Sequence, residues 1–148
     1  MLEAVEMLNK AYQIVTEACG DNLDRSGVLE VLHPLGVAGR LIGHPATTQT
    51  VALLHDLLED YPDLWSADKL LDMGFPPEVV RAVEAITRRE EEPYLGEYIP
   101  RAKQNPISNM VKREDINYNF NRLDRGIPAA DAASLRERWV KAIRILQG

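Results

Sequence analysis

The chain has a single cysteine, Cys19, in 148 residues. That excludes an intramolecular disulfide and any zinc site built from several thiolates, and it fits a reducing, cytoplasmic setting. Excess positive charge is missing too: 17 Lys and Arg stand against 23 Asp and Glu, a net charge of −6. Nucleic acids are held largely by neutralising their phosphates, so no nucleic-acid partner is expected, although a local basic patch can still meet a small anion. No apolar run approaches the roughly 18 residues of a membrane span, so no membrane partner is expected. The first ten residues, MLEAVEMLNK, lack the charged-then-apolar order of a signal peptide. Also absent are alternating strand patterns of useful length, repeats, low-complexity tracts and linkers.

What is present is helical periodicity. Val5, Leu8, Tyr12, Val15 and Cys19 mark one face of a first helix. A turn-rich loop, GDNLDRSG, is followed by a helix over 28–42 that carries Leu32, Leu35, Ala38, Leu41 and Ile42 and either kinks or begins at His33-Pro34. A third helix, capped by Thr47 or Thr48, holds Val51, Leu54, Leu57 and Leu58 and ends at Tyr61-Pro62-Asp63. A short helix follows Ser66, and PPEVVRAVEAIT forms the next, with proline in its first turn. RREEEPYL is a polar loop, and residues 97–104 form a short helix that is either a lid or a connector. A helix over 108–123, a loop at 126–131 and a last helix over 132–146 complete the chain. The expectation is one all-α domain spanning 1–148, with six or seven helices.

Residues 51–60 read VALLHDLLED, an apolar run that carries His55, Asp56, Glu59 and Asp60. Burying charge without a partner is costly, so something must compensate. His33 opens the second helix and Asp115 lies in VKREDINYN, so two imidazoles and two carboxylates form a mixed nitrogen and oxygen set. Such a set suits a divalent ion such as Mn²⁺, Fe²⁺ or Zn²⁺ with positions left open for water and substrate. Adjacent helical residues diverge by about 100°, so His55 and Asp56 share an ion only at the helix edge, in a cleft. Glu59 and Asp60 fall one turn further on and line that cleft as outer ligand-supporting or acid–base groups. Lys112, Asp115 and Asn119 share one helical face.

The order H…HD…D, with these surroundings, resembles the HD-domain metal-dependent phosphohydrolases, and within them the hydrolase domain of the RelA/SpoT-type alarmone enzymes and their small stand-alone relatives. The resemblance runs in one register over about 20–125, through RSG with HPLGVAGRL, ALLHDLLEDYP, GFPPEVVRAVEAITRR, YLGEYIPRAKQNP and VKREDINYN. The departures are GVLEVLHP without a proline-tyrosine pair before His33, Arg25 followed by Ser26 rather than a second cation, and Arg113-Glu114 in place of a small or apolar pair.

The resemblance implies one Mn²⁺ on His33, His55, Asp56 and Asp115, with Glu59 and Asp60 serving the attacking water and Asn119 positioning the substrate. It implies hydrolysis of a phosphate or pyrophosphate from a small phosphorylated nucleotide, with the 3′-pyrophosphate of a ppGpp-like alarmone as the expected substrate. Phosphatase action on NADPH or another nucleotide is the alternative enzyme reading, and a silent nucleotide sensor is the non-enzymatic one. The intact Glu59-Asp60 pair argues against the sensor. Arg25, Arg88 and Lys112 are candidates to neutralise phosphate charge, and Tyr98, Tyr94 or Trp139 to stack on a base. A homo-oligomer is compatible with the sequence, which sets no oligomeric state. The bland reading of His44 is a turn residue, of Cys19 a core residue, and of Arg88-Arg89 facing the glutamates 90–92 a loop ion-pair network.

Overall fold

The computed structural model describes residues 1–123 and 125–148. Among them run α1 (Ala4–Cys19), α2 (Leu32–Gly39), α3 (Ala46–Leu54), α4 (Leu57–Asp60), α5 (Ala67–Asp72), α6 (Pro77–Ile86), a π-helical turn (Tyr94–Tyr98), α7 (Ile99–Lys103), α8 (Pro106–Phe120) and α9 (Ala129–Gln147). The all-α expectation holds: among the described residues the β-type pairing is an isolated bridge between Leu23 and Leu29.

Local chemistry sets several boundaries. The Ser66 hydroxyl accepts from the Lys69 N–H and starts α5. The Asn105 side chain accepts from the Ser108 N–H, and Pro106 occupies the first turn of α8, so Asn105-Pro106 begins that helix two residues earlier than expected. α2 begins at Leu32, one residue before His33-Pro34, so Pro34 lies in its first turn and does not kink it. α9 starts at Ala129, inside the stretch expected to be a loop.

Two hydrophobic clusters organise the packing. The first gathers Ile14 of α1, Val37 of α2, Val51 and Leu54 of α3, Leu70 of α5 and Val83 of α6, with Phe75. The second joins Tyr98, Ile99, Ala102, Ile116, Ala142 and Leu146. α8 runs between them, sending Val111 into the first and Ile116 into the second.

Three expectations need correction. The buried stripe of α1 is Met7, Ala11, Ile14, Val15 and Cys19, while Val5 and Tyr12 are exposed; spacing alone did not distinguish two adjacent apolar stripes. Helix two ends at Gly39, so Leu41 is buried from a turn and Ile42 is exposed. The expected third helix is interrupted after Leu54 and resumes at Leu57; it starts after Pro45 with no side-chain cap, and Thr48 is buried instead.

The loop 88–93 is held from a distance. Arg101 grips the Glu92 carboxylate with Nε at 2.9 Å and Nη2 at 2.8 Å and also donates to the carbonyls of Glu84, Ala85 and Thr87 at the end of α6. That bidentate grip holds the Glu92 carboxyl down at about 2. Arg88 and Arg89 meet Glu92 through backbone atoms, so the ion pair of this loop is Glu92–Arg101.

Candidate active site

The interruption between α3 and α4 shapes the site. Asp56 adopts φ −99° and ψ −2°, off the ideal helix, and His55 donates from Nδ1 to the Ala52 carbonyl at 2.6 Å. In the neutral, metal-binding form of the ring, this bond leaves Nε2 with its lone pair aimed away from the helix. His55 Nε2 lies 3.1 Å from Asp56 Oδ2, so two consecutive residues aim at one point, which a straight helix would have opposed. Pro34 fixes the start of α2 and presents His33, whose Nε2 lies 3.2 Å from His55 Nε2, 2.7 Å from Asp115 Oδ1 and 3.5 Å from Asp56 Oδ2. Asp115 reaches the same point from α8, and Lys112 Nζ holds its other oxygen at 2.8 Å.

The electrostatics follow from burial and proximity. Burial opposes charge on His55, but Asp56 and Asp115 outweigh it and hold the imidazole well above its ordinary range. Burial would likewise raise Asp115, yet Lys112, His33 and His55 outweigh it and hold that carboxyl well down; His55 does the same, less strongly, for Asp56. Two imidazole nitrogens and two carboxylate oxygens thus converge, and one imidazole has its second nitrogen already committed as a donor. Three of these side chains, His33, His55 and Asp115, offer ligand atoms all within 4.8 Å of one another. This cluster fits a divalent metal ion by donor type and by convergence.

Beside it opens a cavity of about 310 Å³, lined by Glu59, Asp60, Lys112, Asn119 and Arg122 in addition to His33, Asp56 and Asp115 of the cluster. The Glu59 carboxylate accepts the Arg88 backbone N–H at 2.8 Å. Its neighbour Asp60 is pushed up to about 7 by its desolvating walls and then by the carboxylates of Asp56, Glu59 and Glu30. Asn119 Nδ2 lies 3.5 Å from Asp115 Oδ1.

The remaining expected contacts divide. Arg25 is exposed and lines a second cavity of about 450 Å³, next to the first, together with Leu135, Trp139 and Arg125. The Arg88 guanidinium does not line the first cavity; it turns toward the Glu92 carbonyl and the Tyr94 ring. Tyr98 is corrected outright: it is 2 % exposed, packs in the second core and donates its hydroxyl to the Ile86 carbonyl, so no base can stack on it. Tyr94 carries the Arg138 guanidinium 3.6 Å from its ring centre, so of the three candidate aromatics Trp139 is the one that lines a cavity, the second, while Tyr61 lines the first. Residues 97–104 pack Tyr98, Ile99 and Ala102 into the second core, as a connector does.

Arg122 is the residue sequence reasoning missed. It continues the spacing of Lys112, Asp115 and Asn119 by three more positions, and that spacing was the available signal. Its guanidinium meets Asp24 Oδ2 at 2.6 Å, His33 Nδ1 at 3.1 Å and Asn119 Oδ1 at 3.2 Å.

His33 also rests on a close approach. The Tyr118 ring packs edge-on against it at 5.1 Å, and a Cβ placed on Gly36 would sit 2.1 Å from that ring. Gly36→Ala is therefore expected to push Tyr118 off His33, lowering the thermal midpoint by the equivalent of about 1–3 kcal/mol and weakening metal affinity; unchanged values in both measurements would contradict this packing role.

No family model matches the chain. It is 33% identical over 138 residues to guanosine-3′,5′-bis(diphosphate) 3′-pyrophosphohydrolase MESH1 of Mus musculus, covering 84% of this chain and 73% of that protein. It is 32% identical over 94 residues to guanosine-3′,5′-bis(diphosphate) 3′-pyrophosphohydrolase of Aquifex aeolicus (strain VF5), covering 62% of this chain but 13% of that much longer protein. A solved structure described as a metazoan ortholog of SpoT that hydrolyzes ppGpp shares the fold, with a TM-score of 0.81 at 18% identity over 96% of this chain and 86% of that one. Together with the H…HD…D cluster, the similarity to MESH1 shows that the chain belongs to the HD-domain family of guanosine-3′,5′-bis(diphosphate) 3′-pyrophosphohydrolases.

Proposed function

We propose that residues 1–148 act as one catalytic unit that hydrolyses the 3′-pyrophosphate of a ppGpp-like nucleotide, in the cytoplasm, with one Mn²⁺ held by His33, His55, Asp56 and Asp115. The observation that carries this reading is the convergence of these four side chains beside a cavity that also holds Glu59 and Asp60. The ion, when bound, supplies Lewis-acid polarisation of a phosphoryl oxygen and a lowered pKa for water beside it.

The chain's own groups do the rest. Asp60 sits close to neutrality and accepts the proton of the attacking water, whereas Glu59, anchored to the Arg88 N–H, orients that water. Lys112 holds Asp115 in place and adds positive charge beside the phosphoryl group. Asn119 positions the substrate, and the second cavity offers the base an apolar wall of Leu135, Ile127 and Trp139.

The test is release of pyrophosphate and phosphate by the Mn²⁺-loaded protein from ppGpp, NADPH and common nucleotides. Metal-dependent pyrophosphate release from ppGpp is expected. Phosphate release from NADPH in its place would move the substrate assignment, and a stoichiometrically loaded protein inert on the whole panel would refute the hydrolase reading.

A further inference from the structure

We propose that Arg122 binds the phosphate group of the substrate that is not cleaved, and so selects nucleotides phosphorylated at both ends; this rests on the hydrolase reading above. The two cavities share a wall, and Arg122 lines both. The first cavity is lined by six carboxylates, Asp24, Glu30, Asp56, Glu59, Asp60 and Asp115, against two permanent cations, Lys112 and Arg122. A polyanionic substrate entering such a cavity needs every cation it can reach. Lys112 is committed to Asp115 at 2.8 Å. Arg122, the other, pairs with Asp24 at 2.6 Å through Nη2, while its Nη1 faces His33 and Asn119 rather than a carboxylate.

Its place relative to His33 decides which phosphate it takes. His33 turns Nε2 toward the ligand cluster and Nδ1 toward Arg122, and these atoms point to different edges of the ring. The guanidinium therefore stands behind His33 as seen from the cluster where the reacting phosphoryl group binds. It is suited to a second anionic group, held at the junction with the cavity that also carries Arg25 and Arg125.

The residue is mounted for this task. Asp24 is fixed by its own turn, accepting from the Ser26 N–H at 2.8 Å, the Ser26 hydroxyl at 2.7 Å and the Val28 N–H at 3.1 Å. It stays in place whether or not its neighbour moves. A guanidinium carries five N–H donors in a rigid fork, so Arg122 can keep Asp24 while turning its other edge from His33 and Asn119 to a phosphate.

The experiment compares ppGpp with guanosine 3′-diphosphate, which lacks the 5′ group, on metal-loaded wild type and Arg122→Ala. Wild type is expected to show a KM lower by roughly ten- to hundredfold for ppGpp, the range of a charge-assisted contact. Arg122→Ala should bring the two KM values together. Arg122→Lys, which keeps the charge and loses the fork, should fall between. An equal loss on both substrates, or an unchanged preference, would overturn the proposal. If wild type cleaves neither substrate, the hydrolase reading fails, and Arg122 is judged by calorimetric binding of GDP to the metal-free protein: weaker binding in Arg122→Ala supports its role, and equal binding refutes it.

Discussion

Replacing His55 with alanine removes the metal and the turnover together. His55 is buried, donates through Nδ1 to Ala52 and faces His33, Asp56 and Asp115 through Nε2, so no other side chain can take its position. The expected result is a fall in bound metal from about one ion per chain to near none, with hydrolysis down at least about a thousandfold. Because the truncation also opens a void, Asp115→Asn serves as a nearly isosteric companion and should lose metal without a comparable packing defect. Elemental analysis with a turnover assay checks both. Full metal occupancy in either variant would remove that residue from the ligand set.

Asp60→Asn should instead keep the metal and lose the chemistry, with kcat down roughly a hundred- to ten-thousandfold, the range for a general base. A lost metal would reassign Asp60 as a ligand. Titration supplies a second readout. The Asp60 carboxyl rises from 3.8 to about 7 on folding, so between those values the folded chain binds more protons than the unfolded one. The metal-free wild type is therefore expected to lose stability as pH rises through that window. Asn cannot titrate, so metal-free Asp60→Asn should gain on wild type in thermal midpoint between about pH 4 and about pH 7. Parallel curves would show that Asp60 is not the group responsible.

Much of this site was legible in the sequence because its chemistry conflicts with its surroundings. His55 and Asp56 stand out inside an apolar run, and Lys112, Asp115 and Asn119 share a helical spacing. Ser66 announces a helix for local reasons and caps it as expected, and PPEVVRAVEAIT announces another, which starts at Pro77, one residue inside the expected stretch. The break after Leu54 was not legible: VALLHDLLED has no glycine or proline, and the helix opens where two consecutive side chains, His55 and Asp56, both turn to the cluster. Tyr98 was misread because an aromatic near a site looks the same in sequence whether it faces a ligand or a core. Its burial depends on α9, whose Ala142 and Leu146 lie far along the chain. Arg122 was hidden because it falls just past the end of α8, where an arginine ordinarily faces solvent.

The placement of α8 between two cores has a consequence for how the molecule holds together. His33, His55 and Asp56 belong to elements packed in the first core, whereas Asp115 comes from the helix that also anchors the second. An ion on these four residues closes a loop of 82 residues between His33 and Asp115 and works as a reversible staple. Its strength follows free-ion concentration rather than covalent chemistry, since a ligand that binds only the folded state stabilises it by RT ln(1 + L/Kd), with L the free-ion concentration. Under the proposed ligand set, cohesion between the two halves of the fold would be tied to metal supply: a cell that starved the protein of the ion would loosen the architecture as well as silence the site.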